Sequence, residues 1–139
     1  MKFWDSSAIL PLLVDERGSA SVAPIFSDDK SQVVWCLTEV EAASALARRE
    51  REGRDAAGVS RARATLKTLL ESWEEVSSLQ TVRARALRVI DTHGLIAADA
   101  LQLAAALVFC DERTESFPFV CLDDRLAAAA RKERFPVLP

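Results

Sequence analysis

A chain of 139 residues, half of them hydrophobic and 28% charged, can bury one sizeable core and has the balance of a soluble globular domain. Asp, Glu or Arg interrupts every apolar run before it reaches membrane-span length, and one Lys ahead of Phe-Trp-Asp is not a secretory signal, so cytoplasmic residence is expected. The net charge of −3 argues against a generally basic nucleic-acid binder, although seven of the eighteen basic residues fall between Arg48 and Lys67.

In chain order, KFW predicts a short strand and Ser7 to Val14 a helix, with Pro11 placed in the first turn where no amide partner is lost. Gly18 breaks the pattern, and SASVAPIFSDD predicts a second short helix. QVVWC, β-branched and aromatic, predicts a second strand. Thr38 opens an Ala-rich helix to Glu52, stopped by Gly53, and Asp55 opens another that reaches Ser72. WEEVSSL predicts a strand, Thr81 to Thr92 a helix ended by Gly94, and Ala97 to Phe109 a buried helix. FPFVCL, DRLAAAARKE and FPVLP complete the pattern as strand, helix and strand. This alternation predicts one α/β domain over residues 1–139, with a parallel sheet and helices on both faces.

Cys36, Cys110 and Cys121 include no CxxC pair, and His93 is the sole histidine, so reduced core thiols are expected rather than a zinc site. His93, just before Gly94, suits a helix C-terminus, and Trp35 and Trp73 suit core or interface packing.

Acids recur where strands end. Asp5 follows KFW, Glu39 and Glu41 follow VVWC, Asp99 heads the most apolar helix, and Asp123 and Asp124 follow FVCL. Each has a local explanation. Asp5, Asp99 and Asp123 stand at helix N-cap positions, and Thr38-x-x-Glu41 matches a capping box. Ser6 or Ser7 could cap the first helix instead, freeing Asp5. Together, the acids would lie along the carboxyl edge of a parallel sheet, where ligands gather. Converging carboxylates repel, and a hard divalent ion such as Mg²⁺ or Mn²⁺ relieves that repulsion. Helical phase puts Glu39 near the arc of Val40, Ala43 and Leu46 and leaves Glu41 on the outer side, whereas the capping-box register turns Glu41 toward a cleft; from the residues alone both remain open.

Four blocks in order resemble the PIN-domain ribonucleases, and most closely their VapC-type toxins: DSSA, LTEVEAASALARR, IAADALQLAAAL and CLDDRLAAAA. The resemblance implies a PIN-like three-layer sandwich with a parallel sheet of four or five short strands. It selects Asp5, Glu41, Asp99 and Asp123 as catalytic and metal-ligating acids for Mg²⁺ or Mn²⁺. It implies in-line hydrolysis of RNA to 5′-phosphate ends, a homodimer and a cognate VapB-like antitoxin. Arg48, Arg49 and Arg125 are the candidate RNA contacts. The sequence departs from the family at Gln102, where His is common, at Cys121, where Ser or Thr is frequent, and at bulky Trp4.

Rival readings fit less well. A haloacid-dehalogenase-type phosphatase needs a second Asp where Ser7 stands, and a receiver domain needs an acidic pair and a later Lys that are missing. A PIN-fold nuclease of RNA processing, or a silent binding module using ILPLLV as its partner surface, are the remaining alternatives.

Overall fold

The computed structural model describes all 139 residues. Its elements are β1 (Lys2–Trp4), α1 (Ser6–Leu13), α2 (Ser19–Asp28), β2 (Gln32–Trp35), α3 (Thr38–Arg51), α4 (Ala56–Leu70) and β3 (Glu74–Val76). They continue with α5 (Leu79–His93), α6 (Ala97–Phe109), β4 (Phe119–Val120), α7 (Asp124–Lys132) and β5 (Val137–Leu138). The five strands form one all-parallel sheet in the order β3-β2-β1-β4-β5. Strand β1 is central, with Phe3 opposite Val33 on one side and Phe119 on the other. The chain winds away from β1 first one way and then the other. Strands β1 and β4 therefore flank the point where strand order reverses, and the crevice beyond their carboxyl ends is where such a sheet accommodates a ligand.

The pleat divides the core into two. Phe3, Val33, Trp35, Phe119 and Cys121 point to one face and pack against α5, α6 and α7. Trp4, Val34 and Val120 point to the other and pack against α1 to α4. Because both faces are covered, the inner strands carry consecutive apolar residues, Phe3-Trp4, Val33-Val34-Trp35 and Phe119-Val120, whereas the edge strand β3 exposes Glu74 and Glu75. The result is a three-layer α/β sandwich. Phe3 and Phe119 stack at 5.2 Å between ring centres across adjacent strands. On the opposite face Trp4 donates its indole N–H to buried Asp29 at 2.9 Å, and Asp29 also takes the terminal amine at 2.8 Å. That anchorage holds β1 in register and satisfies the polar end of an indole with no exposure.

Local corrections have physical causes. Pro11 lies in the second turn of α1, not the first, because the helix begins at Ser6. Helix α5 begins at Leu79, two residues before the expected Thr81, and β4 keeps only two residues of FPFVCL. The buried stripe of α3 is Thr38, Ala42 and Leu46, at four-residue spacing, while Val40 is 61% exposed. The expected arc through Val40 is thus displaced, which turns Glu41 inward. ILPLLV is largely core: Ile9, Pro11 and Leu13 are buried. Gly18 has φ +101°, a backbone conformation that side chains with a Cβ rarely adopt, and this is what glycine supplies at the start of α2, where the tip of Leu122 lies close by. No single helix is long and apolar enough to cross a membrane.

Candidate active site

Asp5 leaves β1 and enters α1, and the local chain gives it two tasks. Its backbone amide bonds Val120 O at 3.0 Å, continuing the β1–β4 ladder, while its side chain caps α1 by accepting from Ser7 N at 2.9 Å. The expectation that Ser6 or Ser7 would cap this helix is corrected. The Ser7 hydroxyl is occupied in accepting from Leu122 N at 2.9 Å, which ties α1 to the end of β4. Capping uses Asp5 Oδ2 and leaves Oδ1 without a partner. The Cys121 thiol lies 3.7 Å from Oδ2, so this cysteine borders the acid rather than sitting in apolar surroundings alone. Burial holds the Asp5 carboxyl up, to about 6 from the ordinary 3.8; the Ser7 bonds pull it down, and Glu41 and Asp99 push it further up.

Asp123 repeats the arrangement at β4. Its Oδ1 caps α7 by accepting from Arg125 N and Leu126 N at 2.9 and 2.8 Å, and Oδ2 has no partner. The neighbouring Asp124 is the first residue of α7 and is exposed.

Asp99 is not a helix cap. Ile96 occupies the cap position of α6 and Asp99 is the third helical residue, so its carboxylate makes no capping bond. Burial raises its pKa first, followed by the charges of Asp123 and Glu41, while Arg125 acts in the opposite direction. An acid raised by the charge of other acids is the electrostatic signature of convergence.

The capping box at Thr38 is also corrected. Leu37 is the cap residue of α3, with no side-chain bond, and Thr38 is already helical and fully buried. The Gln102 amide meets both residues of the expected box. Its Nε2 donates to Thr38 Oγ1 at 3.1 Å and approaches the two oxygens of Glu41 at 3.3 and 3.2 Å. Gln102 is buried, three residues beyond Asp99 on α6, and so ties the helix carrying Asp99 to the helix carrying Glu41. Its Oε1 is buried without a partner. The sequence marks Gln102 only as a departure from the PIN pattern and gives it no part in the acid site. The available signal was a lone amide within the otherwise apolar LQLAAAL, on the same helical face as Asp99.

Asp5, Glu41, Asp99 and Asp123 all line one cavity of about 500 Å³ at the carboxyl edge of the sheet, together with Ser6, Ser7 and Arg48. Glu39 is exposed and does not line it. No three acidic, imidazole or thiol side chains stand close enough to enclose a metal ion as they are. The donor chemistry nevertheless fits a hard divalent ion: the donors are all oxygen, three acids retain a partnerless carboxylate oxygen, and the charges of neighbouring acids add to burial in raising Asp5 and Asp99.

The candidate cations separate. Arg48 lines the acid cavity, and Arg125 is near enough to offset the charge around Asp99. Arg49 does not line it: its guanidinium is paired with Glu16 and faces a different cavity. His93 pairs with Glu133 at 2.6 Å, joining α5 to the end of α7 away from the acids. Trp35 is fully buried, and Trp73 donates to Glu75 at 3.1 Å. The three cysteines are free thiols.

Fold and site together define a parallel α/β sandwich with an acid-lined cavity at its strand-order reversal. No family model matches the chain. No curated protein matches it either. Among solved structures it is similar to the crystal structure of PAE2754 from Pyrobaculum aerophilum, at a TM-score of 0.58 and 24% identity, covering 92% of this chain and 78% of the other. At that identity the likeness shows the fold.

Proposed function

We propose that this chain is a Mg²⁺- or Mn²⁺-dependent PIN-domain endoribonuclease of the VapC toxin type. In this reading it acts in the cytoplasm as a homodimer and is restrained by a cognate VapB-like antitoxin. The observation that carries the proposal is the opening of four carboxylates, from four separate segments, into one cavity beside β1 and β4. Asp5 and Asp99 would hold the ion, with Glu41 and Asp123 completing its surroundings. A bound divalent cation supplies activation of water and neutralisation of charge on the phosphate.

The chain's own residues prepare that site. Asp5 and Asp123 each spend one oxygen on a cap, which fixes the carboxylate plane, and keep the other free. Gln102 holds Glu41 against the cavity wall. Arg48 and Arg125 place positive charge beside the acids, where a phosphodiester would otherwise be repelled.

Asp5→Asn and Asp99→Asn are expected to abolish Mn²⁺-dependent cleavage of RNA, while Glu39→Gln and Asp124→Asn retain it. Full activity in either of the first two variants would sink the site assignment. The toxin assignment has its own test in the neighbouring reading frame. A short upstream gene encoding a DNA-binding N-terminus supports it, and its absence favours a nuclease of RNA processing.

A further inference from the structure

Helix α3 is flanked by two arginine-lined cavities that differ in one respect. The first, about 350 Å³, is lined by Arg49, Arg54 and Arg61, and each of these is paired with a carboxylate: Glu16, Glu52 and Asp55 respectively. Arg63 is likewise paired, with Glu50. The second, about 450 Å³, is lined by Val40, Glu41, Ser44, Ala45, Arg48 and Arg51. Neither Arg48 nor Arg51 has a carboxylate within ion-pair distance, although both belong to the same basic segment. This second groove shares Glu41, Ala45 and Arg48 with the acid cavity, so the two adjoin along α3.

Helical geometry makes the groove a track. Residues 41, 44, 45, 48 and 51 fall at three- and four-residue spacing along one face of α3, leading from the acids to the helix end. Val40, 61% exposed, adds an apolar side to the groove. A polyanion gains from guanidiniums that have no internal partner and gains little from those already neutralised.

We propose that this groove carries the single-stranded phosphodiester backbone on one side of the scissile bond. Arg48 and Arg51 are its phosphate contacts, and Arg49, Arg54, Arg61 and Arg63 lie outside it. The inference deepens the ribonuclease reading and rests on it for the place of the scissile bond, but its binding step needs no cation. A single-stranded nucleic acid suits the groove better than an acidic peptide. A phosphodiester passing from the groove into the acid cavity brings the bond that the proposed site would hydrolyse, whereas a peptide carboxylate brings none.

The test is fluorescence anisotropy in EDTA with a labelled oligouridine of about ten nucleotides. It compares Arg48→Gln/Arg51→Gln with Arg54→Gln/Arg61→Gln, which removes the same charge. Glutamine retains helix propensity, so both variants keep the fold, and circular dichroism checks this. The first pair should weaken binding about tenfold or more and flatten the log–log salt dependence by about 1.4, at about 0.7 per phosphate; the second should stay within about twofold of wild type. Equal loss in both pairs, no loss in the first, absence of oligouridine binding by wild type, or tighter binding of a polyglutamate peptide would each overturn the track. Asp5→Asn separates the two proposals: retained cleavage by that variant refutes the active-site reading, while selective loss of binding in Arg48→Gln/Arg51→Gln still upholds the track.

Discussion

Replacing Asp5 by Asn should stabilise the metal-free protein, and the gain should vary with pH. The carboxyl is 3% exposed, and burial holds its pKa near 6 against 3.8 in an open chain. Between those values the folded protein keeps a proton that the unfolded chain has released. Stability therefore falls as pH rises from about 4 to about 6 and levels off above that. The full difference corresponds to about 3 kcal/mol, at about 1.4 kcal/mol per tenfold change in proton affinity. Asparagine is as good a helix cap as aspartate, so the bond from Ser7 N survives and the charge alone is removed. In chelator near pH 7.5 the variant should exceed wild type by up to about 3 kcal/mol, or roughly 8 °C in Tm. Near pH 4 the two should converge. Urea titrations at both pH values measure the gap, and adding Mn²⁺ should narrow it by stabilising wild type alone. A variant that is no more stable near pH 7.5, or a gap that ignores pH, would refute a buried carboxylate strained by its surroundings.

Gln102→Leu, close in volume but without the amide, should lower Mn²⁺ affinity by about 10- to 100-fold, since it frees Glu41. Calorimetric titration measures this, and unchanged affinity would reduce Gln102 to a packing residue. The buried Cys121 thiol, its pKa pushed up by burial first and by the Asp5 charge next, should alkylate far more slowly than Cys36 and Cys110. Mass spectrometry after iodoacetamide treatment near pH 8 reads the order, and rapid labelling of Cys121 in the folded protein would contradict the described burial.

The sequence alone determined the alternation of strands and helices, because short β-branched and aromatic runs between Ala-rich amphipathic segments admit few other readings. From that order came the parallel sheet and the expectation that acids after strands share an edge. Local rules failed where a side chain serves a distant partner. Asp99 and Thr38-x-x-Glu41 have the form of caps, yet Asp99 stands inside its helix, and Thr38 and Glu41 answer to Gln102, over 60 positions away. The face of α3 could not be settled from its own periodicity, because Ala is small enough to be buried or exposed. Packing against α1 and α4 chose the stripe of Thr38, Ala42 and Leu46 and so turned Glu41 inward. The arginines show the same limit. Seven neighbouring cations look alike in sequence, and only the folded chain, by placing Glu16, Glu50, Glu52 and Asp55 beside four of them, left Arg48, Arg51 and Lys67 unpaired and put the first two of these three in the groove that adjoins the acid cavity. For Asp5, the sequence posed cap or ligand as alternatives. Tertiary structure allows both, because a carboxylate has two oxygens and the cap at Ser7 occupies one.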